Sequence, residues 1–282
     1  MIAVTGASGQ LGRLVIAQLL DKVPANEVVA LVRDTGKVAD LAARGVQVKA
    51  ADYNQPAALA AALQGVDKVL LISSSEVGKR ALQHRNVIEA AVRAGVKLLA
   101  YTSILHADTS PLRLATEHQE TEAQLKASGL PYVLLRNGWY TENYAASIPV
   151  ALQHGVFIGS AGEGKIASAT RADYAAAAVA VLTQDNQAGK VYELAGDEAY
   201  TLAELAAEVS RQSGKTIGYR NLPPAEFSAA LAAAGIPEVF ADIIADSDVG
   251  AAKGGLFDDG HQLSRLIGRA TTPLATVVKG AI

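Results

Sequence analysis

A glycine-rich turn between an apolar strand and an amphipathic helix constrains the fold of this chain more than any other sequence feature. The turn has the spacing Gly-x-x-Gly-x-x-Gly, and its residues are Gly6, Ala7, Ser8, Gly9, Gln10, Leu11 and Gly12. Gly6 permits the tight turn, Gly9 lets the backbone approach a pyrophosphate, and Gly12 allows close packing of helix on strand. The helix N-terminus offers unpaired N–H groups to phosphate oxygens. The whole turn is therefore predicted to bind a dinucleotide phosphate, although a turn that only needs a positive φ angle is the alternative.

Short β-branched runs alternate with alanine-rich amphipathic segments through the first half of the chain. The predicted strands lie at residues 2–5, 28–32, 46–50, 68–73, 97–102 and 132–136. The predicted helices between them lie at residues 10–20, 37–43, 56–63, 79–94 and 114–128. Near-continuous apolar strands separated by helices predict a parallel sheet that is covered on both faces. The predicted fold class is therefore α/β, a doubly wound parallel sheet of the Rossmann type.

The pattern changes after about residue 143. Short predicted strands at residues 156–158 and 190–194 stand among mostly helical segments, such as residues 202–213. No Ser/Gly-rich linker separates the two halves. We therefore predict an NAD(P)-binding core at residues 1–143 and a smaller substrate-binding part at residues 144–282, partly interleaved with the core.

The composition argues against several classes of protein. Half of the 282 residues are hydrophobic, which is enough for a large core, and the net charge is −3 without a dense Lys/Arg cluster. We therefore expect no nucleic-acid partner. The chain has no cysteine, which excludes disulfides, thiolate metal sites and cysteine nucleophiles. No basic leader precedes the first strand and no apolar run is long enough to span a bilayer, so we expect a cytoplasmic protein without a membrane partner.

The end of the second predicted strand indicates which dinucleotide is bound. A cofactor without a 2′-phosphate is usually held by an acidic residue here, but this chain has Arg33, whose guanidinium pairs well with phosphate. We therefore expect NADPH to be preferred over NADH, with Lys37 as a possible second cation. Two alternatives stay open, because Asp34 could reach a ribose hydroxyl and Arg33 could be a solvated surface residue.

Three further strand ends should complete the cofactor cleft, because ligands bind beyond the carboxyl ends of parallel strands. The expected cofactor contacts at these ends are Asp52, Ser73, Ser74, Ser75, Tyr101 and Thr102. Asp52 and the adjacent Tyr53 are expected beside the adenine, and the small serines where the cofactor backbone must pass. Serine and threonine at strand ends also cap the following helices, so ligand contact and capping stay open for each of them.

Along essentially its whole length the chain resembles the NmrA-like group of atypical short-chain dehydrogenase/reductase proteins, most closely its quinone-reducing and triphenylmethane-dye-reducing bacterial members. The similarity rests on residues 4–12, 30–33, 51–53, 71–78, 101–103, 135–143, 167–174, 246–255 and 263–268. The resemblance implies a monomeric or homodimeric cytosolic reductase that passes hydride from NADPH to a quinone. It also implies that Asn137, Trp139 and Tyr140 lie along the nicotinamide and quinone pocket. Aromatic rings can stack on a flat quinone and an amide can orient either ring, whereas core packing is the alternative for both aromatic residues.

The Tyr–Lys pair of short-chain dehydrogenases is missing. Leu114 and His118 stand at the two positions of the predicted helix where that pair is expected. Reduction of an ordinary ketone needs an acid near the developing alkoxide, whereas a quinone accepts hydride readily and gives a weakly basic anion. The absence of the Tyr–Lys pair therefore argues against sugar or steroid dehydrogenase activity. His118 could still bond a quinone oxygen or the nicotinamide ribose, with Glu122 orienting its imidazole, or it could be a structural histidine.

Two classes of function remain open from the sequence. The leading hypothesis is direct hydride transfer from NADPH to a quinone, or to another flat electrophile such as a triphenylmethane dye, without flavin or metal. The catalytic candidates are His118, Asn137 and Tyr140, and Asn137 and Trp139 are also expected to contact the cofactor. The alternative is a redox sensor that binds NAD(P)(H) and a protein partner without turnover. A second pocket at Asn137, Trp139 and Tyr140 would favour the enzyme.

Overall fold

A seven-stranded sheet flanked by helices and a separate two-stranded sheet make up the fold in the computed structural model, which describes residues 1–282. The strands are β1 (Ile2–Val4), β2 (Val28–Val32), β3 (Gln47–Ala50), β4 (Lys68–Leu71), β5 (Leu98–Ile104), β6 (Tyr132–Asn137), β7 (Val156–Gly159), β8 (Val191–Leu194) and β9 (Gly218–Asn221). The helices are α1 (Gln10–Leu19), α2 (Ala39–Ala43), α3 (Pro56–Ala62), α4 (Arg80–Ala94), α5 (Ala115–Ala127), α6 (Thr141–Ala145), α7 (Ile148–His154), α8 (Arg171–Thr183), α9 (Leu202–Ser213), α10 (Pro224–Ala233), α11 (Glu238–Ala252), α12 (Gln262–Ile267) and α13 (Leu274–Ala281). None of these helices combines the length and the apolar character that a membrane span requires.

The large sheet has the strand order β3-β2-β1-β4-β5-β6-β8, and β1 to β6 pair in parallel. The chain moves outwards from β1 in one direction to β3 and then in the other direction to β6. The order therefore reverses between β1 and β4, which is the point where doubly wound sheets bind ligands. The predicted α/β fold with a doubly wound parallel sheet is confirmed.

The register of β1 explains why the glycine turn lies at this reversal. Val4 pairs with Ala30 of β2 on one side and with Leu70 of β4 on the other. All five residues of β2 are buried, as expected for a central strand that is covered on both faces. The chain segments that follow β1, β2 and β4 are therefore brought together at one edge of the sheet.

Two strands of the second half belong to different sheets. β8 joins the large sheet beside β6, and the N–H of Leu134 donates to the carbonyl of Lys190 at 3.0 Å. This strand was predicted at residues 190–194, within the part expected to be partly interleaved with the core. β9 was not predicted because its sequence, Gly-Tyr-Arg-Asn, lacks a β-branched residue, and it pairs in parallel with β7.

The chain divides into two compact units, and each is discontinuous in sequence. The first comprises Met1–Ala107, Thr116–Asn137 and Arg171–Tyr192, and it contains β1 to β6. The second comprises Asp108–Ala115, Gly138–Thr170 and Glu193–Ile282, and it contains the β7–β9 sheet. The boundary expected at residue 143 stays a prediction.

Candidate functional site

A cleft of about 230 Å³ opens in the first unit at the carboxyl ends of the strands around the β1–β4 reversal. Its walls are formed by Gly6, Ser8, Gly9, Leu31, Val32, Arg33, Ala51, Asp52, Tyr53, Ile72, Ser73, Ser74, Ser75, Glu76 and Gln83. The cleft therefore brings together the glycine turn with the expected contacts at the ends of the second, third and fourth strands. Ala7, Gln10, Leu11 and Gly12 belong to the same turn and helix start but are not among the lining residues.

The glycine turn has a backbone geometry that leaves its donors available to a ligand. Gly6 has a φ of +58°, and its carbonyl accepts from the N–H of Gly9 at 2.9 Å. Helix α1 begins after Gly9 with no side-chain cap and no acidic residue in its first turn. The N–H groups at the start of a helix have no partner within the helix. They and the positive end of the helix dipole therefore suit an anionic group such as a pyrophosphate.

Arg33, the predicted 2′-phosphate ligand, lines the cleft directly after β2. Its side chain is 68% exposed, and its Nη1 lies 3.2 Å from Oε1 of Glu76. The neighbouring Asp34 accepts from the N–H of Gly36 at 2.9 Å, so it caps the 3₁₀ helix Thr35–Val38. Neither Asp34 nor Lys37 is among the residues that line the cleft. Arg33 therefore lines the cleft and Asp34 does not, and the contact of Arg33 with the cofactor stays a prediction.

Tyr53, which follows β3 and lines the cleft, links the chain segments that follow β1 and β4 by hydrogen bonds. Its hydroxyl lies 2.5 Å from Oγ1 of Thr5, which follows β1, and 2.8 Å from the carbonyl of Ile72, which follows β4. Burial raises the pKa of this hydroxyl, so it stays protonated. Asp52 forms a local turn, because its carboxylate accepts from the N–H of Asn54 at 2.8 Å. Asp52 and Tyr53 therefore shape the wall that was expected beside the adenine.

The serine segment after β4 is held by hydrogen bonds within the protein. The N–H of Ser73 donates to Oγ1 of the buried Thr102 at 2.9 Å, and the N–H of Glu76 donates to Oγ of Ser74 at 3.1 Å. Thr102 contacts the serine segment and does not itself line the cleft. Glu76 and Gln83 line the cleft but were not predicted as site residues. The signal for Glu76 was its position directly after the three serines.

His118 is a buried residue of α5 and is not among the residues that line the cleft. Its Nδ1 lies 2.7 Å from the hydroxyl of Tyr101, and its Nε2 lies 3.4 Å from Nη1 of Arg80. Burial, followed by the positive charge of Arg80, lowers the pKa of His118 well below its usual value. The imidazole is therefore neutral at physiological pH. The catalytic role expected for His118 and the cofactor contact expected for Tyr101 stay predictions.

The expectation that Glu122 orients His118 is wrong. Both carboxylate oxygens of Glu122 face the guanidinium of Arg136, at 2.9 Å and 2.8 Å, and Oε1 also accepts from Ser103 at 2.7 Å. All three residues are buried. A carboxylate with a guanidinium in bidentate geometry makes stronger bonds than it would with a neutral imidazole, which explains the choice of partner.

The remaining site candidates follow one another at the end of β6. Asn137 ends β6 and is buried, and its side-chain Oδ1 has no hydrogen-bond partner. Trp139 and Tyr140 belong to the second unit, where the carbonyl of Trp139 accepts from the N–H of Ala169 at 3.1 Å. Both aromatic side chains are half-buried. Their stacking on nicotinamide or quinone stays a prediction.

The electrostatic features of the cleft suit an anionic ligand. Residues 1–282 hold no group of three or more His, Cys, Asp or Glu side chains close enough to bind a metal ion. The cleft instead combines an uncapped helix start, a guanidinium and small hydroxyl side chains at the reversal of a parallel sheet. These features define a dinucleotide-binding protein of the doubly wound α/β class.

Comparison with known proteins agrees with this class. The chain matches the NAD(P)H-binding family over residues 6–185, and it belongs to that family. The predicted resemblance to the NmrA-like reductases is confirmed. The chain is 64% identical to quinone oxidoreductase 2 of Escherichia coli over 278 residues, which cover 99% of this chain and 97% of the relative.

Two solved structures with bound cofactor are similar over nearly the full length. The crystal structure of an Escherichia coli NADPH-dependent quinone oxidoreductase complexed with NADPH has a TM-score of 0.97 at 64% identity, covering 99% of both chains. Triphenylmethane reductase of Citrobacter sp. complexed with NADP(H) has a TM-score of 0.96 at 40% identity, covering 100% of both chains. The similarity therefore includes both halves of the chain.

Proposed function

We propose that this protein is an enzyme that reduces quinones with NADPH by direct hydride transfer from the nicotinamide. The observation that carries the proposal is the 64% identity to quinone oxidoreductase 2 over 99% of the chain. The cleft fits the cofactor named for the similar crystal structure, since it offers phosphate ligands at α1 and at Arg33. As part of this proposal we place the protein in the cytoplasm, as a monomer or homodimer.

The first unit supplies the groups that would hold NADPH. The N–H groups at the start of α1 would bind the pyrophosphate and Arg33 the 2′-phosphate, while Asp52 and Tyr53 would border the adenine. When bound, NADPH supplies the hydride. The protein contributes binding and alignment of two flat rings, which brings the reacting atoms together at a high effective concentration.

Asn137 is the residue of the first unit that we propose for orienting the nicotinamide. It stands at the carboxyl end of β6, at the edge of the sheet where ligands bind. Its buried Oδ1 lacks a hydrogen-bond partner within the protein, and a buried polar atom without a partner is costly. The N–H₂ of a nicotinamide carboxamide is a donor that would satisfy this acceptor.

Asn137→Leu is expected to lower kcat/KM for NADPH about tenfold, because one hydrogen bond to the cofactor is lost. Steady-state oxidation of NADPH with excess benzoquinone measures the effect. Gln124→Leu is the matched control, since Gln124 also has a buried side-chain oxygen without a partner but lies on α5, outside the strand ends. Equal kinetics for wild type and Asn137→Leu would contradict the proposed role.

The pH dependence tests whether His118 donates a proton. A group that is neutral in the folded protein throughout the neutral range produces no inflection there. Because burial and Arg80 keep the pKa of His118 well below its usual value, kcat at saturating NADPH should be flat from about pH 6 to 8, with protonation of the hydroquinone anion by water. An inflection near the usual histidine pKa that disappears in His118→Gln would instead establish His118 as the acid.

The proposed activity is tested by following NADPH absorbance with purified protein and a simple benzoquinone, after correction for the uncatalysed reaction. Saturable, protein-dependent oxidation that is faster with NADPH than with NADH is expected. A triphenylmethane dye in place of the quinone tests the other flat acceptor. NADPH binding without oxidation by either acceptor would overturn the enzyme proposal and favour the redox sensor.

A further inference from the structure

One residue of the cleft wall has both main-chain polar groups bound by side chains of a single helix. The N–H of Ser74 donates to Nε2 of His84 at 2.9 Å, and the carbonyl of Ser74 accepts from Nε of Arg80 at 2.5 Å. Arg80 and His84 are four residues apart on α4, so they project from the same face of the helix. We call the three residues Ser74, Arg80 and His84 the serine clamp.

The hydrogen-bond pattern determines the protonation of His84. A main-chain N–H can only donate, so Nε2 accepts and the ring proton is on Nδ1. Nδ1 then donates to the hydroxyl of Thr121 at 2.8 Å, and this hydroxyl donates to the carbonyl of Glu117 at 2.9 Å. Burial, followed by the charge of Arg80, lowers the pKa of His84 to about 3. The acceptor at Ser74 is therefore present at neutral pH.

A second layer of side chains holds Arg80 in the serine clamp. The guanidinium can only donate, so Nε2 of His118 accepts from Arg80 and Nδ1 of His118 donates to the hydroxyl of Tyr101 at 2.7 Å. Glu117 accepts from the N–H groups of Gly78 and Arg80, at 2.9 Å and 3.2 Å, where α4 begins. His118 and Glu117, both on α5, therefore hold Arg80 where it bonds Ser74.

We propose that His84 and Arg80 are positioning residues for the NADPH site, acting through the main chain of Ser74. This inference rests on the proposed function, because the cleft must hold NADPH. The segment Ser73, Ser74, Ser75 and Glu76 forms one wall of the cleft and lies outside any strand or helix. Side chains of Thr102, His84 and Arg80 bond its backbone. Fixing that backbone before the cofactor arrives removes an ordering cost from binding.

The clamp acts on cofactor binding and not on the hydride step. Both His84 and Arg80 bond the main chain of Ser74, and neither is among the residues that line the cleft, so their effect on NADPH is expected to pass through Ser74. Loss of the clamp should therefore raise the Kd and KM for NADPH while kcat at saturating NADPH stays close to that of the wild type. A residue that only stabilised the fold would lower the melting temperature without this selective change.

The test compares two replacements of His84 by titrating NADPH against the intrinsic fluorescence of the full chain. His84→Leu removes the acceptor for Ser74 and is expected to raise the Kd for NADPH roughly tenfold. His84→Gln keeps an acceptor oxygen and is expected to stay within about threefold of the wild type, which is the expected rescue. Steady-state rates at saturating NADPH should stay within about twofold for both variants.

Ile88→Val is the matched control on the same helix, since Ile88 is one turn beyond His84 and packs in the hydrophobic core. It is expected to lower the melting temperature without changing the Kd for NADPH. Equal affinity in wild type and His84→Leu overturns the clamp and leaves the proposed function intact. A rise in Kd of the same size in Ile88→Val also overturns it, because a general loss of stability would then explain both. A wild type that does not bind NADPH overturns the inference and the proposed function together.

Discussion

Gly12→Ala is expected to lower kcat/KM for NADPH oxidation by about 100-fold and to destabilise the fold by about 1–3 kcal/mol. A Cβ at this position would lie 2.4 Å from the carbonyl oxygen of Gly6 and 2.8 Å from Cα of Ala7. Both neighbours are backbone atoms, so no flexible side chain can move aside. Helix α1 would have to shift away from the turn. This shift would displace the N–H groups at the start of α1, which are the proposed pyrophosphate ligands.

Gly280→Ala is the matched control for this prediction. Gly280 is also a helical glycine, in α13, but a Cβ there meets no atom within 4 Å. Alanine should therefore stabilise the chain by up to about 1 kcal/mol and leave NADPH oxidation unchanged. Urea denaturation and steady-state kinetics measure both variants. A Gly12→Ala protein with wild-type stability and activity would show that the turn relaxes at no cost.

Arg33→Ala is expected to reduce the preference for NADPH over NADH by about 10–100-fold, because charge-assisted bonds to the 2′-phosphate are lost. Arg33→Ala should lower kcat/KM for NADPH, whereas kcat/KM for NADH should change little. The guanidinium is mostly exposed, so the preference of the wild type should also weaken as the salt concentration rises. Initial rates with each cofactor at two ionic strengths provide the measurement.

The control for Arg33 is Arg93→Ala, which removes an exposed arginine that pairs with Glu89 on α4. Its removal makes the net charge of −3 more negative by one unit, as Arg33→Ala does, but leaves the cleft unchanged. No change in cofactor preference is expected. A similar loss of preference in both variants would point to overall charge, and a retained preference in Arg33→Ala would exclude Arg33 as the 2′-phosphate ligand.

The parallel core was predictable because its signals are local. Five consecutive apolar residues in β2 and a glycine turn directly after β1 define strand and turn without knowledge of distant residues. Ligands of parallel sheets bind at strand ends, so the positions of Arg33, Asp52 and the serines followed from chain order alone. β9 was missed because its polar residues carry no strand signal and only pairing with β7 makes it a strand.

The partners of the polar side chains were decided by tertiary packing. Glu122 was expected to contact His118 on its own helix, but it bonds Arg136, which stands on β6 and is brought close by the fold. His84 of α4 likewise forms hydrogen bonds to Ser74, in the segment after β4, and to Thr121 on α5. Such long-range choices depend on which donors and acceptors are buried together, since each buried polar group needs a partner.

The amino-acid sequence by itself determined the α/β fold class, the dinucleotide turn and the cation at the end of β2, because hydrophobic period, glycine spacing and chain order act over short distances. Only the tertiary structure decided that β8 extends the large sheet, that Asp34 caps a 3₁₀ helix while Arg33 lines the cleft, and that two buried histidines support the serine segment. These outcomes depend on packing between residues distant in sequence, where burial and hydrogen-bond satisfaction select one arrangement.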